Sequence, residues 1–400
     1  MTGRRRAEDP GSGRHRAPET SVSRGHAWSV RLIVLGVVAG LATVVATVAI
    51  PLLTTERAQR VTVSAGVVTS QSTSVEVSTP EPTPEADRDP EADSLPKPKV
   101  PVGPPGLKVL DHQFRERGMV RVDKSALQPF VFRVASYNVL GASHTSGKGA
   151  RKGYAGYAAR TPGQVGLIEA HRASVVGLQE FQHPQARQFA GLRGSAYGVY
   201  PGLQLGEALS QNSIAWRTDT WSVVETHTIG IPYFGGRPVQ MPYVLLRHLG
   251  SGRTVWFGNF HNPANIGGNH AGWRAAATRI EADLANRLGA DGTPVVMTGD
   301  FNDRAEFACP FSARSGMHSP DGAATVNGVC RTPRGMSVDW IFGSGSLQWS
   351  DYVQDWSSRD RRLSDHPIIA GTATVPSIHD PSKCRRAKAR AGMQIYCPAS

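Results

Sequence analysis

Eight polar residues define the chemistry open to this 400-residue chain: Asn138, Glu180, His261, Asp300, Asn302, Asp339, Asp365 and His366. Carboxylates and a carboxamide are hard oxygen donors, the kind that Mg²⁺ prefers and that Mn²⁺ or Ca²⁺ also accept. Histidine next to an acid, as in Asp365-His366, suits proton transfer or an imidazolium facing a phosphate. The densest stretch is 295–303, Val-Val-Met-Thr-Gly-Asp-Phe-Asn-Asp. Its apolar start predicts a buried strand ending at Gly299. Asp300 and Asn302 follow two residues apart, and extended backbone would put both side chains on one side, at the mouth of a buried sheet. There they could polarise a water beside a phosphate. Gly, Asp and Asn are also ordinary turn residues, so the spacing alone leaves a plain turn open. Repetition favours chemistry, because the same polar types recur wherever a predicted strand ends or begins.

Those strands can be read in order. Phe130–Tyr137 alternates and is rich in β formers, and it runs into Asn138. Residues 142–160 form a basic loop whose Lys148, Arg151, Lys152 and Tyr154 could grip a phosphate backbone. A helix over 162–172 leads to the buried strand Ser174–Gln179, closed by Glu180. Ser213–Trp216 and Trp221–Val224 are expected to pair with each other, and Tyr243–Leu249 with Thr254–Phe260 around Gly250-Ser251-Gly252. Over 270–288, Trp273, Ala276, Ala277, Ile280, Leu284 and Leu288 keep the 3–4 spacing of an amphipathic helix. Val338–Phe342 and a segment opening at Ser364 supply the last strands. Trp216, Trp221, Trp273 and Trp340 are expected in the core, and His144 and His270 are loop candidates for substrate contact.

The ordered set Ser-Tyr-Asn138-Val-Leu, Leu-Gln-Glu180, Asn-Phe-His261, Gly-Asp300-Phe-Asn302, Val-Asp339-Trp-Ile and Ser-Asp365-His366-Pro resembles the endonuclease/exonuclease/phosphatase superfamily over roughly residues 130–375. The resemblance implies an α/β fold of two mixed β-sheets packed face to face and flanked by helices, a four-layer α/β/β/α sandwich. It also implies Mg²⁺-dependent phosphoester hydrolysis. Glu180 would be the principal metal ligand, helped by Asn138 and Asp365. Asp300 would orient or deprotonate water, with Asn302 holding it and the phosphate. His366, fixed by Asp339, would stabilise the transition state or protonate the leaving oxygen, and His261 would contact the phosphate. Members often carry a further acid or tyrosine before the histidine motif; Glu207 and Tyr243 are the candidates. Nucleic acid is the expected substrate. A phospholipid or inositol-phosphate head group is the alternative, for which Ile231-Pro232-Tyr233-Phe234 is the candidate contact. A catalytically dead binding module is the contrasting class. No P-loop, G-x-G-x-x-G or G-x-S-x-G occurs.

The chain carries a net charge of +12, which suits a polyanionic substrate or an anionic surface. Leu32–Leu53 is uncharged and, at about 1.5 Å per residue, long enough to span a bilayer. Arginines crowd before it, so residues 1–31 read as a cytoplasmic tail, 32–53 as a single-pass anchor, and everything beyond as extracellular. A cleaved signal peptide, giving a secreted protein, is the alternative. Residues 54–105 are Pro- and acid-rich and read as a disordered stalk. The catalytic domain is expected over 106–379, as a monomer, followed by a basic tail over 380–400. All four cysteines (Cys309, Cys330, Cys384, Cys397) follow the anchor, as disulfides in an oxidising compartment would. Of the three pairings, Cys309–Cys330 with Cys384–Cys397 is the most local. No Cys-x-x-Cys or His-x-x-x-His spacing supports zinc.

Overall fold

The structure, a computed structural model, describes residues 103–207, 211–335 and 337–399. The expected cytoplasmic tail, the anchor and the stalk up to residue 102 lie outside the described residues. Among the described residues no helix is long and apolar enough to cross a membrane.

In chain order the elements begin with α1 (Leu107–Arg115), β1 (Met119–Val122), β2 (Phe130–Asn138), α2 (Tyr157–Ala170) and β3 (Val175–Gln179). They continue with α3 (His183–Arg193), β4 (Tyr197–Tyr200), β5 (Asn212–Arg217), β6 (Trp221–Pro232), β7 (Pro238–His248) and β8 (Thr254–His261). Then come α4 (Ala271–Leu288), β9 (Val295–Asp300), α5 (Ala305–Ser315), β10 (Ala324–Val326) and β11 (Val329–Arg331). The last are β12 (Asp339–Gly343), β13 (Gln348–Asp355), α6 (Ser357–Asp360), β14 (Ile368–Val375), β15 (Arg385–Ala389) and β16 (Gly392–Pro398).

Two mixed sheets dominate, ordered β13-β14-β2-β3-β5-β4 and β12-β9-β8-β7-β6. Each holds one parallel pair, β2 with β3 and β8 with β9, among antiparallel neighbours. A parallel pair needs a crossover, and α2 and α4 supply them on the outer faces. One apolar cluster lies between the sheets, joining Val134, Val175 and Ile214 to Val244, Val255, Phe257 and Val296. A second cluster packs α2 and α3 on the six-stranded sheet, and a third packs α4 and α5 on the five-stranded one. The layers are therefore helix, sheet, sheet, helix.

Below the site the sheets approach so closely that β3 uses glycine. A Cβ on Gly177 would sit 2.0 Å from Thr298 Oγ1 and 2.5 Å from Asn259 Oδ1. The two polar atoms met there are bonded, since Thr298 Oγ1 donates to the Gly258 carbonyl and Asn259 Oδ1 accepts from Gln179 Nε2, while Asn259 Nδ2 donates to the carbonyls of Leu178 and Ser213.

Several expectations are corrected. Ser213–Trp216 and Trp221–Val224 do not pair; β5 joins β3 and β4 in one sheet while β6 joins β7 in the other, so 218–220 carries the chain between layers. Local spacing cannot distinguish a hairpin from such a crossing. The helix expected over 162–172 is α2, which starts at Tyr157, ends at Ala170 and takes Pro162 inside it. The buried face of α4 includes Arg274, Thr278 and Glu281, while Trp273 stays half-buried outside the core. Trp216, Trp221 and Trp340 are buried as expected. The β7–β8 hairpin also forms as read, with Tyr243 opposite Gly258. Both disulfides take the local pairing, Cys309–Cys330 and Cys384–Cys397. Residues 385–398 form a hairpin that pairs with β1 and packs on α1 through the stacked rings of Phe114 and Tyr396.

Candidate active site

The two parallel pairs end at the same edge of the molecule. Asn138 closes β2 with Glu180 just beyond its partner β3, and His261 lies opposite Asp300 at the ends of β8 and β9. Antiparallel β12 starts there, placing Asp339 opposite Asp300. The turn before β14 brings in Ser364, Asp365 and His366. Carboxyl ends of parallel strands are where open α/β sheets place ligands, because loops diverge there and leave a crevice.

Asp300 Oδ2 is the point of convergence. It accepts from Asn138 Nδ2 at 3.0 Å and has His366 Nε2 at 3.5 Å and His261 Nε2 at 3.6 Å. Asn138 Nδ2 also donates to Glu180 Oε1 at 3.1 Å, so one buried amide bridges two carboxylates from different sheets. Its own oxygen accepts from Leu140 N–H. Glu180, at a positive φ of 55°, accepts from Gly141 N–H at 2.7 Å and has His144 Nε2 at 3.4 Å. His366 Nδ1 is 3.0 Å from Asp339, which also accepts from Ser337 Oγ. Asp365 pairs with Arg151, and its Oδ1 is buried without a partner.

The charges are unequal by environment. Burial pushes the Asp300 carboxyl above its ordinary value; His366 opposes this and Asp339 adds to it. Burial works the same way on Glu180, but His261, Gly141 N–H, His144 and Asn138 together hold it below the usual range. Burial alone would deprotonate His366, yet Asp339 and Asp300 outweigh it and raise the imidazole to about 10. His366 therefore carries its proton at neutral pH, with Nε2 facing Asp300.

Asn302 departs from expectation. The extended backbone stops at Asp300, and Asn302 turns to a φ of 52°. Its N–H donates to Asp300 Oδ1, and its side chain donates to the Asn262 carbonyl rather than lying beside the Asp300 carboxylate. Tyr243 lies on the outer face, stacked on His227. The tyrosine at the site is Tyr233, edge-on to His261, whose hydroxyl is raised well above its usual value by burial and by Asp300 and Glu180. Its place just before a β6–β7 turn was visible in the sequence, but not that the turn folds over His261. Two further buried groups support the loop after His261. Glu281 lies 3.4 Å from Asn262 Nδ2, and Arg274 pairs with Asp303 and donates to the Pro263 carbonyl.

A divalent cation suits this donor set. Glu180 is ionised at the site's edge, Asp300 lies beside it, and Asp365 Oδ1 is a buried acceptor with nothing to accept from. Asp300, Asp339 and His366 also hold ligand-type atoms within 4.8 Å of one another. That triad is better described as an acid–imidazolium pair, since a protonated imidazole has no lone pair for a metal. Outside that triad, Glu180 and Asp365 offer carboxylate oxygens and Asn138 an amide oxygen that already accepts from Leu140 N–H.

The family model described as Endonuclease/Exonuclease/phosphatase family matches residues 135–366. No curated protein matches the chain. Among solved structures, an endonuclease/exonuclease/phosphatase family protein from Bacteroides thetaiotaomicron is 19% identical, with a TM-score of 0.49, covering 63% of this chain and 98% of that one. The human Nocturnin catalytic domain with bound sulfate is 17% identical (TM-score 0.49; 64% and 96% covered). A mannosyl-6-phosphatase from Bacteroides thetaiotaomicron is 18% identical (TM-score 0.46; 60% and 99% covered).

Proposed function

The chain belongs to the endonuclease/exonuclease/phosphatase family, a family of hydrolytic phosphoesterases, and from that premise we propose that it is a membrane-anchored extracellular nuclease that hydrolyses phosphodiester bonds. The observation that carries the hydrolytic mechanism is the convergence of Asn138, His261 and His366 on one buried oxygen of Asp300. The +12 net charge and the basic loop at 148–152 support a polyanionic substrate. The uncharged run at 32–53 and two disulfides beyond it support an anchored domain facing an oxidising compartment.

Asp300 orients the attacking water and takes its proton, a task helped by a carboxyl that burial makes more basic than usual. The water oxygen bonds to phosphorus as the bond to the leaving oxygen breaks, and His366 Nε2 donates its proton to that oxygen. Asp339 holds the imidazolium in place through Nδ1. His261 faces the phosphate from β8, with Tyr233 excluding water beside it. Asn138 keeps Glu180 and Asp300 together. Asn302 sets the turn that aims Asp300. A divalent ion, Mg²⁺ by the hardness of the donors, would be held by Glu180, Asn138 and Asp365 and would neutralise charge on the phosphate.

The test offers plasmid DNA, single-stranded RNA, sphingomyelin vesicles and an inositol phosphate side by side, with Mg²⁺ or EDTA. EDTA-sensitive nicking of the plasmid or cleavage of the RNA is expected. Lipid or inositol-phosphate turnover alone would replace the nuclease reading. Asp300→Ala and His366→Ala should each remove hydrolysis while the protein stays folded; retained activity in either would sink the assigned roles.

A further inference from the structure

Outward from His261 the rings form a continuous ladder. Tyr233 meets His261 edge-on at 6.1 Å between centroids, Phe234 meets Tyr233 at 4.7 Å, His270 meets Phe234 at 5.2 Å, and Trp273 stacks on His270 at 4.5 Å. The ladder is braced, because His270 Nε2 is bonded to the Ile266 carbonyl and its backbone N–H to Asn265 Oδ1. Its middle ring and a neighbouring aliphatic side chain reach solvent. Phe234 is 38% exposed and Ile266 is 66% exposed. Rings left in water two contacts from a phosphate-handling imidazole contribute little to folding.

The other imidazole, His366, lines a cleft of about 460 Å³ together with Asp365, Arg304, Arg359 and Trp356. The Arg359 guanidinium lies over the Trp356 ring at 5.9 Å, and Trp356 is 40% exposed. The catalytic centre therefore has an exposed ring beyond one histidine and guanidinium groups with a second ring beyond the other.

We propose that these two surfaces are one track for a single-stranded polynucleotide, in which a base next to the scissile phosphate stacks on Phe234 and a neighbouring phosphate is held by Arg359. The proposal rests on the nuclease reading and deepens it. Rings alternating with phosphates match what the two flanks offer, and base stacking is tolerant of sequence because every base has a π-face. In a duplex both faces of a base are covered by its neighbours, so an exposed Phe234 selects unpaired strands. A lipid head group has one phosphodiester and leaves the cleft beside Arg359 with no second phosphate.

The experiment uses full-length protein with Mg²⁺ on a base-bearing single-stranded oligonucleotide and on the same strand made of abasic units. Wild type is expected to show a KM about tenfold lower on the base-bearing strand, the size of one stacking contact. Phe234→Ala should remove that preference with kcat within about twofold, Phe234→Trp should restore it, and Arg359→Ala should raise KM on both strands alike. Phe234 is exposed, so its truncation leaves the core intact, and an unchanged melting temperature checks this. Equal KM values for wild type and Phe234→Ala on the base-bearing strand, or wild-type cleavage of duplex as fast as of single strand, would overturn the track while leaving the nuclease reading standing. Loss of sphingomyelin cleavage in Phe234→Ala, with oligonucleotide cleavage unaffected, would assign the ladder to lipid instead. No oligonucleotide cleavage by wild type, with bis(p-nitrophenyl) phosphate still hydrolysed, would overturn the nuclease reading and the track together.

Discussion

At Asp300 one carboxylate oxygen meets an amide and two imidazoles, and the residues around it divide the work by protonation state. His366 is held charged up to about pH 10 by Asp339 and Asp300 against the effect of its burial. Its proton is therefore present across the neutral range and is lost only as pH rises toward that value. Asp339→Asn removes one of the two carboxylates that hold it. The alkaline limb of the kcat/KM profile should then move down by a pH unit or more, and an unmoved limb would argue against His366 as the proton donor. Glu180 and Asp300 share one amide, so a divalent ion should relieve their repulsion. Added Mg²⁺ should raise the melting temperature of wild type by mass action and should do so far less in Glu180→Gln. Tyr233 shows how partial the residue-level reading was. The resemblance implies a further acid or tyrosine before the histidine motif, with Glu207 and Tyr243 as its candidates. The tyrosine beside His261 is instead Tyr233 in the turn after β6, and Tyr243 lies within β7 stacked on His227.

The crossover helix α4 carries an acid where its apolar spacing called for none. Glu281 is fully buried against Asn262, and desolvation raises it to about 8. Its folded value lies above its unfolded one, so its contribution to stability is complete below about pH 4.5 and is lost as pH rises through 8. By linkage the loss is on the order of 5 kcal/mol. Glu281→Gln should flatten that slope in urea-melt midpoints measured from pH 5 to pH 8; an unchanged slope would mean that the acid is hydrated and ionised. On β3 the constraint is steric. Gly177→Ala should cost roughly 1–3 kcal/mol by overpacking, and its chemical-denaturation midpoint should fall accordingly. Element identity was legible in most places because strands and helices leave different periods in the chain. Pairing was legible only in part, since β7 and β8 pair as read whereas the chain crosses between sheets at 217–221.

Across the whole molecule, the two sheets form one catalytic edge, and the ends of the described chain are tied to each other. β1 pairs with β16, and the Cys384–Cys397 bridge clips the hairpin that contains it. Cys309–Cys330 closes a span of 21 residues between α5 and β11. A bridge over such a loop contributes about 3 kcal/mol, so reductant should lower the melting temperature by roughly 5–10 °C. No shift on reduction would mean that the bridge is absent or offset by strain. The proposed anchor at 32–53 has its own check, since the full-length chain should sediment with membranes and be released by cleavage near residue 100.

The motifs at strand boundaries determined which residues could gather, because each of these polar groups stands where a strand ends or begins, and a strand announces itself by local composition. Asn138, Glu180, His261, Asp300, Asp339 and His366 could be named from that rule. The tertiary structure decided what local spacing cannot encode. It set which strands share a sheet, that Asn302 turns away to the Asn262 carbonyl, that Arg151 reaches Asp365, and that Glu281 lies buried under the site loop. Each of these depends on contacts between segments far apart in sequence, where burial and charge are set by neighbours that no local pattern records.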